Sequence, residues 1–211
     1  MDVDEALAVL ADDTRDEPAR LGAVAVLRTG ARIEHLDRMF AVLERAETEL
    51  ALAISEALRA MNAQAVLTRL LRTGSERERA LAAMRLVRLG DARAVPALLE
   101  CARTEQQPRV RALIYEALAR LSAEPGVAEA LLEGLDDPDP DVRCHAAYGL
   151  GTSGAAAARA ALEQRLEAEN DDVAREFIER ASRRLGGGRA AGTPAGPPHD
   201  DSSRSSSSAG A

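Results

Sequence analysis

Lysine and tryptophan are missing altogether from this 211-residue chain, and cysteine, phenylalanine and tyrosine occur only twice each. Each absence removes a chemistry. Without lysine there is no Schiff-base amine, no P-loop lysine and no Ser-Lys dyad. Cys101 and Cys144 supply neither a disulfide framework nor a zinc-ligand spacing, and both are expected to be small buried side chains. With aromatics at 2%, the apolar mass is Ala, Leu and Val, which suits closely packed helices better than a sandwich or barrel. No run approaches the roughly 18 apolar residues of a membrane span. The opening "MDVDEALAVL" is acidic and lacks the basic n-region of a signal peptide. A soluble, cytoplasmic protein is the expectation. All 27 basic residues are arginine, against 35 acidic ones and a formal charge of -8. That balance argues against tracking a nucleic-acid backbone, which needs a basic surface.

What is present divides in two. Residues 186–211, "GGGRAAGTPAGPPHDDSSRSSSSAGA", are Gly, Pro and Ser with almost nothing to bury, and are predicted to be a disordered tail. His199 beside Asp200 and Asp201 lies in that tail, where nothing preorganises a metal site. Residues 1–185 carry apolar positions at spacings of three and four, with Gly and Pro between the helical stretches.

Those helical stretches repeat. Val142, Ala146, Leu150 and Gly154 share one helical face. The same face recurs upstream as Val110, Ile114 and Leu118, and as Glu78, Ala82, Leu86 and Gly90. It recurs again as Leu50, Ile54, Leu58 and Asn62, then as Ala19, Ala23 and Leu27, and downstream as Val173, Phe177 and Ala181. One position after each reference residue stands a second column: Arg20, Ala51, Arg79, Arg111, Arg143 and Ala174. After each turn a second helix follows, for example Leu36, Phe40 and Leu43, or Val127, Leu131 and Leu132. No such pair of helices can bury its apolar face alone, so the units are expected to stack. The last stretch, "DVAREFIERASRRL", carries Arg175, Glu176, Glu179, Arg180, Arg183 and Arg184 on its outer side, as a cap would.

"DDPDPDVRCHAAYGLGTSG", Asp136 to Gly154, resembles the first helix of a HEAT-like repeat of the type named after phycobilisome lyases. "GDARAVPALLECA", Gly90 to Ala102, resembles the second helix of that repeat. The resemblance spans about residues 15–185 and is best in the third to fifth units. It implies an all-α, right-handed α-solenoid of about five to six stacked two-helix repeats. It also implies that the Arg column bonds the acidic turns of neighbouring units, and that the second helices line the concave face where partners lie. Function follows only loosely from such a fold.

Asp136, Asp137, Asp139 and Asp141 invite a metal reading, but Pro138 and Pro140 interrupt any EF-hand pattern, and no Gly or distal Glu stands at the required spacing. Capping explains them better: Asp139 accepts from the first amides of a helix, and Pro140 sits where its missing N–H costs nothing. Cys144 and His145 are adjacent on a helix and point about 100° apart, so they form no dyad. His145 and Tyr148 are expected together on the surface. His35 lies on the second helix of the first unit, with no carboxylate or thiol placed beside it. Arg79, Arg111 and Arg143, with Asp139 and Asp141, are expected to form a structural ladder. Arg69, Arg72, Arg93 and Arg103, followed by Glu129 and Glu133, are the candidate partner-binding residues of the groove, whose basic middle would read an acidic segment of another protein. No catalytic, cofactor-binding or metal-binding residue is expected. The favoured function is a non-catalytic interaction scaffold or regulatory adaptor. The alternative is a lyase-type enzyme or accessory factor, although two Phe, two Tyr and scattered His are a poor basis for a chromophore cavity.

Overall fold

The computed structural model describes residues 1–154 and 157–186. The predicted tail, from residue 187 on, lies outside the described residues. These residues form twelve α-helices and no strand. They are α1 (Val3–Ala11), α2 (Glu17–Gly30), α3 (Leu36–Leu43), α4 (Thr48–Ala60), α5 (Ala63–Thr73) and α6 (Glu76–Leu89). Then come α7 (Val95–Thr104), α8 (Pro108–Arg120), α9 (Val127–Gly134), α10 (Pro140–Ser153), α11 (Ala158–Ala168) and α12 (Asp172–Leu185). The even-numbered helices are the first helices of the repeat and the odd-numbered ones the second helices. Successive first helices pack on one another, and so do α1 with α3, α5 with α7 and α7 with α9, so the chain is an α-solenoid.

Local sequence starts and stops these helices. Asp16, Ser75, Asp139 and Asp171 each accept a hydrogen bond from a first-turn amide, and Ser75 with Glu78 closes a capping box. Pro18, Pro108 and Pro140 occupy first turns, where no amide is needed. The turns out of first helices use left-handed backbone at Asn62, Gly90, Gly126 and Gly154, with φ of 58°, 55°, 80° and 70°.

Three expectations change. Helix α1 stands outside the repeat columns, yet packs on α2 and α3 as a second helix does. In the last unit Val173 is half exposed, although Phe177 and Ala181 of its column are buried, and Ala174 and Ile178 are buried completely, with the Asp171 cap four residues before Arg175. The register there is therefore one residue later, and Arg175, not Ala174, belongs to the arginine column. His145 is buried at 7% exposure rather than lying on the surface. Its helix, α10, packs against α8, α9 and α12, so nearly every side of it is covered.

The first helices α8, α10 and α12 approach closely through small residues. A Cβ added at Gly149 would lie 2.9 Å from Ala119 Cα, and one at Gly151 would lie 3.0 Å from Ala181 Cα. Glycine within a helix costs about 1 kcal/mol relative to alanine, and the close approach of backbones offsets that cost here.

Candidate interaction face

An arginine ladder sets the frame. Arg79, Arg111 and Arg143 each stand four residues after the helix cap of α6, α8 and α10, and each reaches a carboxylate in the turn that precedes the next first helix. Arg79 donates Nε and Nη2 to Glu105 at 2.7 and 3.0 Å. Arg111 does the same to Asp137 at 2.7 and 2.8 Å, and Arg143 to Glu169 at 2.7 and 2.7 Å. The third donor, Nη1, turns back to the carbonyl of Gly74, Glu105 or Asp137 in the turn before its own helix. Arg175 also turns back, to the carbonyls of Leu166 and Glu169. Arg79, Arg111 and Arg143 thus each join two turns, in a bidentate geometry that lysine could not supply.

Of the acids expected in this ladder, Asp139 caps α10 through the amides of Asp141 and Val142, and Asp141 lies in the first turn of that helix. The carboxylates that meet the guanidinia are Glu105, Asp137 and Glu169, which stand at the turns themselves. Glu169 is 1% exposed. Burial alone would raise its pKa. Hydrogen bonds from Arg143 and the Asp171 amide, with the charges of Arg143 and Arg165, outweigh burial and hold it at about 2. The same competition, won by Arg79, lowers Glu105.

The second helices carry a sparser, more exposed set of pairs. Arg72 on α5 donates Nε and Nη2 to Glu100 on α7 at 2.9 and 2.7 Å. Arg103 on α7 faces Glu133 on α9 at 4.0 Å. Both pairs are substantially exposed, so each is worth well under about 1 kcal/mol and opens easily. Arg93 lies elsewhere, in the turn between α6 and α7. It is held by Asp91 at 2.6 Å and by the carbonyl of Arg59 at 3.0 Å. Arg69 is exposed on α5 and has no ion-pair partner among the described residues, and Glu129 is exposed on α9. The structure therefore brings Arg72, Arg103 and Glu133 into one line of cross-helix pairs, leaves Arg69 beside it, and sets Arg93 apart.

No group of three metal-ligating side chains occurs among the described residues. Both thiols are buried, and burial with nearby carboxylate charge pushes Cys144 up to about 12, so it is no nucleophile at neutral pH. His35 accepts the Arg32 amide through Nδ1 at 2.8 Å. Its Nε2 lies 3.8 Å from the exposed carboxylate of Glu34, a neighbour the sequence reading did not place there. No described helix is long and apolar enough to cross a membrane.

A family model for HEAT repeats matches residues 36–119 and 106–183, well over half of the chain. The chain belongs to the HEAT-repeat family. The matched HEAT region begins at α3, so α1 and α2 extend the array beyond it. Among solved structures, an engineered protein is 19% identical, with 88% of this chain and 97% of that chain covered and a TM-score of 0.49. The complex of CpcE and CpcF of phycocyanin lyase from Nostoc sp. PCC7120 is 21% identical, with 88% and 95% covered and a TM-score of 0.29. No curated protein matches the chain.

The HEAT array opens on its second-helix face. α5 and α7, and α7 and α9, pack directly, whereas α9 and α11 stand apart. Between them lies a cleft of about 400 Å³ lined by Leu132, Leu135, Ala161 and Ala168, with Asp136, Gln164, Arg165 and Glu167 completing its wall. Sequence reasoning missed this cleft, because it depends on the spacing of two helices rather than on any residue.

Proposed function

We propose that the protein is a non-catalytic interaction scaffold that receives a segment of a partner protein along its second helices, from α5 to α11. The α9–α11 cleft carries this reading. It is lined by apolar and polar residues in about equal measure, and its volume is within the range of sites that take a small ligand or a few peptide side chains. The pairs Arg72–Glu100 and Arg103–Glu133 run towards it. An acidic partner segment would exchange with Glu100 and Glu133 on those arginines and would also meet Arg69. Because the resident pairs are exposed, the exchange costs little, and it would supply orientation while the cleft supplies apolar burial.

A lyase needs a cavity for its substrate, and the aromatic residues do not frame one. Phe40 and Tyr115 are buried in the core of different repeats. Tyr148 and Phe177 meet in a recess of about 40 Å³ between α10 and α12, little more than the room one water takes.

Quantitative capture of partners from the native host tests the scaffold reading. The variant Arg69→Glu/Arg103→Glu should lose a partner that the wild type and the first-helix control Arg77→Glu both retain. Equal capture by all three would overturn the second-helix assignment, and turnover by the purified protein would overturn the scaffold reading itself.

A further inference from the structure

The array is interrupted at one place, between α4 and α6. At the α8–α10 and α10–α12 steps, first helices meet through small residues at two fixed positions, six and eight residues after the arginine column: Ala119 against Gly149, and Gly151 against Ala181. In α4 and α6 those positions are Arg59 and Arg85. Two arginines cannot replace Ala and Gly at so close a backbone approach without holding the helices apart. The consequences are visible. α4 and α6 share few close contacts, while α6–α8, α8–α10 and α10–α12 pack along their length. Leu52 on α4 and Leu81 on α6 are 57% and 37% exposed. The residues in register with them on α10, Cys144 and His145, are buried. No ladder rung crosses this step, because α4 carries Ala51 in the arginine column, and the rungs begin at Arg79 of α6.

Other contacts span this seam. Arg85 reaches past α4 to α3, where Nη1 meets Asp37 at 2.6 Å and the guanidinium lies 5.0 Å over the Phe40 ring. Arg88 donates to the Glu44 carbonyl at the end of α3. At the opposite side, Arg59 donates to the Leu89 carbonyl at 2.6 Å, and Arg93 holds the Arg59 carbonyl and Asn62 Oδ1. Asn62, in the turn between α4 and α5, is the one non-glycine residue with positive φ among the described residues, at 58°. Helices α3 and α4 pack together on one side of the seam, and α5 and α6 on the other.

We propose that this seam is a hinge: α1–α4 turn as one body against α5–α12 about the Asn62 turn, and the contact of Arg85 with Asp37 and Phe40 is the latch that sets the angle. Hinges of this kind concentrate the change in a few residues at element ends while the packed bodies stay rigid. Asp37 is 81% exposed, so the latch can be opened by salt or by one substitution without disturbing a core.

Distances between spin labels in the full chain test the hinge. Cys101 and Cys144 are buried, so thiol labels go to introduced sites. Ala41→Cys on α3 and Ala160→Cys on α11 span the seam; Arg77→Cys with Ala160→Cys is the control within one body. The cross-seam distance distribution should be at least about twofold broader than the control. It should broaden or shift further with Asp37→Asn or 1 M salt, and return with Asp37→Glu, while the control pair stays unchanged. A cross-seam distribution as narrow as the control, or one indifferent to Asp37→Asn, would overturn the proposal. Thermal melts of each labelled protein verify that every variant is folded.

Discussion

The stretch from α6 to α12 and the stretch from α1 to α4 are built from the same two-helix unit but are held together differently. In the first, small residues let first helices touch, and Arg79, Arg111 and Arg143 bind each turn to the next. In the second, Arg20 turns back to the Leu10 carbonyl and to Asp13, which Arg45 also reaches, and Ala51 offers nothing. The seam into the third unit is spanned by Arg85 on the exposed carboxylate of Asp37 and by backbone-directed arginines instead of a buried rung. The lesson is that close-approach pairs and turn-binding arginines mark the tightly packed part of the stack, and that the α4–α6 step, which has neither, is the sparsest meeting of first helices.

The largest effect should come from breaking the most buried rung. Arg143→Ala leaves the buried Glu169 with only Arg165 and the Asn170 and Asp171 amides, and should cost about 3 kcal/mol of unfolding free energy, measured by denaturant titration. Arg111→Ala and Arg79→Ala should cost progressively less, because their pairs are more exposed. Overfilling a close approach comes next: Gly149→Leu would drive a side chain into Ala119 and Leu131 and should cost about 3 kcal/mol.

Acid should separate the two regions in the same direction. Glu169 titrates at about 2 in the folded chain, below its ordinary value of 4.5. A depressed folded pKa gives stability that is fully present above the unfolded value and is lost as pH falls through the folded one. Up to about 3 kcal/mol should therefore disappear between about pH 5 and pH 2, and Glu169→Gln should flatten that part of the profile. The smallest effect belongs to the seam. Asp37→Asn should change global stability by less than about 1 kcal/mol, because the carboxylate is exposed, even as it loosens the angle.

Much of the fold was legible in the sequence, because a helix that must bury one stripe against identical neighbours repeats that stripe in register. The four-residue interval from cap to arginine, as in Asp139 to Arg143, is local, and it would also have placed Arg175 correctly from Asp171. Taking Val173 as the last reference residue ignored that interval. Helix α1 lies within the stretch read as helical but had no place in the repeat although Asp2 caps it, because Val3, Leu7 and Leu10 align with no first-helix column. The burial of His145 and the cleft beside α11 were not legible. Both depend on how many neighbours a helix acquires and how far apart they stand. The pairing of Arg72 with Glu100 and of Arg103 with Glu133 likewise arises only when consecutive second helices lie side by side, so what reads in sequence as a basic middle is largely a line of exposed ion pairs.

Native-state hydrogen exchange at graded low denaturant tests most directly whether the ladder and the small-residue contacts, rather than the repeat as such, hold the array together. The amides of α8 and α10 should exchange only through global unfolding, while those of α2 and α4 open at a free energy lower by about 2 kcal/mol or more. A single opening free energy shared by α2, α4, α8 and α10 would contradict it.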